Sequence, residues 1–143
     1  MENCRRAISR LADAGTVLAS SSLYLTEPVG VRGQEWYVNG VVALKTELQP
    51  LELLRHLHKI EAEMGRQRPY PWAPRTIDLD ILYFDDLVLS HPDLTIPHPR
   101  VAQRRFVLSP LLEIAPDFTD PLRKLTVREL LERCPDKGVV EKI

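Results

Sequence analysis

The spacing of hydrophobic positions changes along the chain, and each change predicts an element. From Asn3 to Ala14, Ala7, Ile8, Leu11 and Ala12 recur at helical spacing, and Gly15 follows as a stop signal. Val17 to Leu25 is rich in residues that suit a pleated surface, and the turn-prone EPVGVRGQ ends it. Trp36 to Leu48 reads as a second strand, so the two predict a long-looped antiparallel hairpin. Pro50 then opens a helix whose apolar stripe is Leu53, Leu54, Leu57, Ile60 and Met64, closed by Gly65.

After that helix, RQRPYPWAPRT carries three prolines in eleven residues, which forbids regular structure and predicts a shaped surface loop. Thr76 to Phe84 alternates, with Ile77, Leu79 and Ile81 on one face and Asp78 and Asp80 on the other, as a half-buried strand does. Beyond an Asp85-Asp86 turn come a short LVLS, a loop HPDLTIPHPR and a partly helical VAQRRFVLSPLLEIAP. Thr126 and Glu129 form a capping-box pattern for a last helix, Thr126 to Arg133. There are no internal repeats and no low-complexity tracts.

Composition narrows the class. A chain of 143 residues fits one domain, and at that size roughly two thirds of the unfolded surface is buried on folding. Apolar content of 44%, charged content of 27% and a formal charge of -1 are those of an ordinary globular protein, without the basic bias of a nucleic-acid binder. Cys4 and Cys134 are too far apart in sequence to read as a disulfide framework or zinc knuckle. The N-terminus is too polar for a signal-peptide core, and no apolar run approaches the ~20 residues of a membrane span. The expected location is the cytoplasm.

Asp78 and Asp80 carry the chemistry. Aspartate is disfavoured in strands, and like charges on one strand face repel. Two residues apart, their Cα atoms lie about 6.5 Å from each other, so the carboxylates can converge on one metal ion or bridge two ions ~3.5–4 Å apart. Magnesium suits such a pair, since it takes one or two carboxylates and completes its shell with water and phosphate oxygens. A bare D-x-D reads more readily as an edge strand with a solvated acidic face. Here, however, Arg66, Arg68 and Arg75 flank it, and Glu61 to Arg123 holds seven arginines and no lysine. Arginine's planar fork matches phosphate oxygens, and metal-binding carboxylates beside phosphate-binding cations are the equipment of phosphoryl transfer.

Farther on, His98, Arg100, Arg104 and Arg105 fall within IPHPRVAQRRF, a second candidate phosphate clamp in which His98 is either a phosphate donor or a turn residue between prolines. Tyr37 and Phe106 are candidates to stack on a flat ring. Asn39, on the same strand face as Tyr37, offers an amide that both donates and accepts at a pterin or purine edge. A metal-dependent nuclease is disfavoured by the near-zero charge and by the lack of further carboxylates near the pair.

The stretch WAPRTIDLDILYF resembles the signature of the 6-hydroxymethyl-7,8-dihydropterin pyrophosphokinase family of folate biosynthesis. The resemblance continues in family order through LYLTEPVG, WYVNGVVALKTEL, IEAEMGRQR, LTIPHP, RRF and PLLEIAPDF, over most of residues 20–118. It implies a ferredoxin-like α+β sandwich, with an antiparallel sheet and helices packed on it. It further implies transfer of pyrophosphate from Mg-ATP to the pterin alcohol, in which the hydroxymethyl oxygen attacks the β-phosphorus and AMP leaves. The implied partners are these small molecules alone, with no nucleic acid or membrane, and the implied state is a monomer.

By the same resemblance Asp78 and Asp80 match the ligands of two magnesium ions. Arg66, Arg68, Trp72 and Arg75 match a mobile loop that closes over both substrates, with Arg66 and Arg75 catalytic and Arg68 and Trp72 at the ATP. Glu61, Ile81, Thr95, His98 and Arg104 match nucleotide-side positions, and Thr26, Val29, Tyr37, Asn39 and Phe106 match the pterin pocket. The chain departs from the pattern in three places. The Arg68–Trp72 loop is one residue shorter, Pro99 stands where a tyrosine is common, and the sequence starts inside the first helix, without the strand ending in G-S-N that usually precedes it. That strand would be central, between those carrying Asn39 and Asp78. The chain as written is therefore expected to be unstable or inactive unless its start lies upstream, which leaves an inactive nucleotide-binding module as the alternative reading.

Overall fold

The computed structural model describes residues 2–26, 37–65 and 77–143, a mixture of helices and antiparallel strands. Helix α1 (Glu2–Leu11) presents Ala7 and Leu11 to the interior. Strands β1 (Thr16–Ser20) and β2 (Tyr24–Thr26) follow, then β3 (Tyr37–Asn39) and β4 (Val42–Lys45). The expected hairpin is present in pairing, but it is divided into two short ladders. β1 pairs with β4 from Thr16↔Lys45 to Ser20↔Val42, with an irregularity at Leu18, and β2 pairs with β3 from Tyr24↔Asn39 to Thr26↔Tyr37.

The division lies at Ser21 and Val41. The Ser21 N–H donates to the Val41 carbonyl at 2.8 Å, while the Val41 N–H donates to the Ser21 hydroxyl at 2.8 Å rather than to a carbonyl. A side chain thus takes one rung of the ladder and lets the ribbon bend without orphaning a buried N–H.

Helix α2 (Pro50–Gly65) has the bounds its stripe predicts, and buries Leu53, Leu57, Ile60 and Met64. These meet Ala7 and Leu11 of α1 in the main core, with Ile81, Leu94 and Ile96; Val17, Val42, Leu44, Ile77 and Leu79 pack around it.

The strand expected at Thr76–Phe84 is corrected. Residues 77–81 keep the in-out alternation, Asp78 and Asp80 exposed and Ile81 buried, yet residues 77–84 join no ladder. A strand is defined by its neighbours' hydrogen bonds, and among the described residues none runs along either edge of this segment. Its backbone is tied at Leu82, whose carbonyl accepts the His98 N–H at 2.9 Å, and at Phe84, whose carbonyl accepts the Leu87 N–H of the following turn at 3.0 Å. A second correction concerns HPDLTIPHPR, expected as loop. It contains β6 (Leu94–Ile96), which pairs with β5 (Leu89–His91) in a tight hairpin.

A 3₁₀ turn at Val101–Gln103 leads into helix α3 (Arg105–Ile114). Helix α4 (Val127–Glu132) begins at the expected capping box: the Thr126 hydroxyl accepts from the Glu129 N–H, and the Glu129 carboxylate from the Thr126 N–H. Leu108 of α3 and Leu130 of α4 share a second core cluster with Val101 and Cys134. The sequence pattern did not reveal β7 (Val140–Lys142), which pairs with the edge of β2 opposite β3.

Candidate active site

Helix α2 positions the first polar group. Burying Ile60 and Met64 turns Glu61 toward the 77–84 segment, where its carboxylate accepts the Leu79 N–H at 3.1 Å. That bond stands in for a missing ladder rung and holds the segment against α2, with Ile77, Leu79 and Ile81 inward and the two aspartates outward. The β5–β6 hairpin supplies Thr95, exposed between the buried Leu94 and Ile96. His98 follows two residues after Ile96, and its bond to Leu82 fixes it near the far end of the aspartate segment.

Glu61, Asp78, Asp80, Ile81, Thr95 and His98, six of the residues singled out from sequence, line one cleft of about 350 Å³. The Nδ1 of His98 accepts the Arg100 N–H at 3.1 Å, which leaves Nε2 to carry the proton of the neutral ring. Burial pushes the imidazole below its usual pKa; the Asp80 charge opposes this, and Arg104 and Arg100 reinforce it. The donor set is chemically fit for magnesium. Two hard, exposed carboxylates share a face, and magnesium takes such a pair with water and phosphate oxygens completing its shell.

A second constellation lies on β2, β3 and α3, which pack together. Asn39 Nδ2 donates to the Thr26 hydroxyl at 2.9 Å, and Tyr37, paired with Thr26, exposes 54% of its surface. Phe106 sits in the first turn of α3 with the Arg104 guanidinium 5.6 Å from its ring centroid. Arg104 therefore stands between the two constellations, acting electrostatically on His98 and stacking on Phe106. Val29, Arg66, Arg68, Trp72 and Arg75 lie outside the described residues.

Sequence reasoning missed Glu113, although PLLEIAPDF contains it. Its carboxylate accepts from the Tyr24 hydroxyl at 2.6 Å and from the Ser22 N–H at 2.7 Å. The Tyr24 phenol is pushed up to about 12, first by burial and then by its bond to Glu113 and by that charge.

Comparison with known proteins adds independent observations. The family model for 7,8-dihydro-6-hydroxymethylpterin-pyrophosphokinase matches residues 1–116. The 2-amino-4-hydroxy-6-hydroxymethyldihydropteridine pyrophosphokinase of Pseudomonas aeruginosa is 46% identical over 93% of this chain and 81% of its own length. That of Haemophilus influenzae is 40% identical over 95% of this chain and 84% of its own. The folic acid synthesis protein of Schizosaccharomyces pombe is 42% identical over 86% of this chain, which spans only 17% of that longer protein. Among solved structures, Plasmodium falciparum HPPK-DHPS superposes with a TM-score of 0.69 over 92% of this chain and 40% of its own, at 17% identity, a likeness of fold.

Proposed function

Because the chain belongs to the 7,8-dihydro-6-hydroxymethylpterin-pyrophosphokinase family, we propose that the cleft between α2, residues 77–84 and the β5–β6 hairpin is the nucleotide and metal side of its active site. The enzyme transfers pyrophosphate from ATP to 6-hydroxymethyl-7,8-dihydropterin, giving AMP and the pterin diphosphate in folate biosynthesis. The observation that carries the site assignment is the convergence of Glu61, Asp78, Asp80, Ile81, Thr95 and His98 on one cleft.

In this reading Asp78 and Asp80 would hold two magnesium ions. Bound magnesium neutralises phosphate charge and makes the β-phosphorus more electrophilic. Glu61 keeps the aspartate segment seated on α2, and His98 donates Nε2–H to a phosphate oxygen. Ile81 and Thr95 form the nucleotide's wall. Arg66, Arg68, Trp72 and Arg75 bind the remaining phosphate oxygens and exclude water. Thr26, Val29 and Asn39 recognise the pterin edge, while Tyr37 and Phe106 sandwich its ring. Arg104 joins the two halves, stacking on Phe106 while its charge reaches the phosphates.

We read the architecture as ferredoxin-like, with a place for a central strand between β4 and residues 77–84. What supports this is the alternation of 77–81 without a ladder, a segment shaped as a strand whose neighbour is not among the described residues. Among the described residues no helix is long and apolar enough to cross a membrane. A monomeric, cytoplasmic enzyme without a nucleic-acid partner remains our proposal.

The test is AMP release by the purified chain in a matrix of ATP, magnesium and the reduced pterin alcohol. Turnover is expected only with all three. Conversion of ATP to AMP without the pterin would overturn the reading.

A further inference from the structure

We propose that Glu113 is a positioning residue for the pterin side of the site: it ties helix α3 to β2 and so sets the spacing between the Phe106 ring and the Thr26–Asn39 pair. The inference rests on the reading that those three residues hold the pterin.

Phe106 and Glu113 are seven residues apart on α3, two turns and about 10 Å along one helix face. At the Phe106 end the helix offers a ring. At the Glu113 end it offers a carboxylate that accepts from the Tyr24 hydroxyl at 2.6 Å, the Ser22 N–H at 2.7 Å and the Ser22 hydroxyl at 3.1 Å. Lys142 of β7, on the outer edge of β2, lies 3.6 Å from the same carboxylate. Tyr24 is the register partner of Asn39, and Asn39 donates to Thr26 at 2.9 Å. The path from Glu113 to the pterin-reading amide is therefore one side-chain hydrogen bond and one strand pairing.

Glu113 does not line the nucleotide cleft, so its effect runs through the other wall. The bonds are charge-assisted and fan out to three donors, a geometry that fixes a helix end better than apolar contact does. Tyr24 and Thr26 are both buried on the β2 face that looks toward α3, which leaves little slack between the anchor and the site. The carboxylate is held below its usual pKa, chiefly by the Tyr24 hydroxyl, so it stays ionised throughout the neutral range.

Steady-state kinetics with each substrate varied separately tests this. Glu113→Ala is expected to raise KM for the pterin roughly tenfold, the fold-change that one lost charge-assisted hydrogen bond corresponds to, and to leave KM for ATP within about twofold. Glu113→Gln, which keeps one acceptor oxygen, should recover most of the loss. Tyr24→Phe, which deletes one of the bonds and retains the ring, should give a smaller rise in the same KM, and it carries the test if Glu113→Ala does not fold. Equal rises in both KM values would mark a merely structural role and overturn the proposal, as would an unchanged pterin KM in both variants. Asn39→Ala is the control on the underlying reading. If it raises pterin KM while the Glu113 and Tyr24 variants do not, the positioning proposal alone fails; if it has no effect, the pocket assignment fails and takes the proposal with it.

Discussion

The Glu61 carboxylate accepts the backbone N–H of Leu79, the residue between Asp78 and Asp80, at 3.1 Å. An acid on a helix thus does for the aspartate segment what a neighbouring strand ordinarily does. Glu61→Ala is expected to lower stability by about 1–2 kcal/mol through the orphaned N–H. The same variant should weaken Mg-ATP binding in calorimetry, because the two carboxylates lose their fixed spacing. Glu61→Gln keeps an acceptor oxygen and should preserve the urea midpoint. A Glu61→Ala protein with full affinity for Mg-ATP would contradict this role.

Asp78 and Asp80 face solvent and make little of the core, so their loss should separate activity from stability. Asp78→Asn and Asp80→Asn are each expected to reduce AMP release by on the order of 10²–10³, in the range found when one preorganised charge-stabilising group is removed. Thermal midpoints should stay near that of the parent or rise, since removing one of two like charges relieves repulsion. Chelation of magnesium should abolish turnover of the parent, with recovery on adding the ion back.

Much of this was readable from the amino-acid pattern, for physical reasons. Helix α2 is bounded by a proline and a glycine around a continuous apolar stripe, so local signals and packing agree. The same holds for the Thr126–Glu129 cap, where both reciprocal bonds formed. Of the residues that line the cleft, Asp78 and Asp80 stood out because like charges on one face of an alternating segment are costly, whereas Glu61, Ile81 and Thr95 were named only by the family resemblance. The 77–84 ladder was not readable, since alternation reports which face is buried and says nothing of whether a neighbour is there to pair. Strands β6 and β7 are three residues each, too short for periodicity to register. Glu113 escaped notice because an acid on a helix end is ordinary until its partners, 89 and 91 residues away in sequence, are known.

Asp120 gives a pH prediction. It is fully buried, and its carboxylate accepts from the Tyr83 hydroxyl at 2.7 Å, the Arg123 guanidinium at 2.9 Å and the N–H groups of Leu122 and Arg123 at 2.8 Å each. Burial pushes its pKa up, but those hydrogen bonds outweigh burial and hold it below the usual 3.8. The unfolded chain therefore binds this proton more readily than the folded one. The resulting stability is present above pH 3.8 and is lost as pH falls through the folded pKa. Asp120→Asn should be less stable by about 2–3 kcal/mol at pH 7, with the gap to the parent narrowing in acid unfolding curves. A gap that stays constant down to pH 2 would refute this account.

Gly15→Ala sets two effects of opposite sign against each other. Replacing glycine by alanine commonly stabilises by about 0.4–1 kcal/mol, because the unfolded chain loses freedom. At this position, however, an added Cβ would collide with the Lys45 carbonyl oxygen and stand 3.1 Å from the Thr46 Cα. Both are backbone, and neither can swing aside as a side-chain tip would. The junction is also tied, since the Thr46 hydroxyl donates to the Ala14 carbonyl at 2.7 Å. Relief requires α1 and β1 to move away from the end of β4, opening the Thr16↔Lys45 pair that starts the ladder. The steric effect should win, giving a net loss of about 1–3 kcal/mol. In urea titrations that appears as a lower midpoint at unchanged slope. A midpoint equal to or above that of the parent would mean that the close approach of Gly15 to Lys45 relaxes without strain.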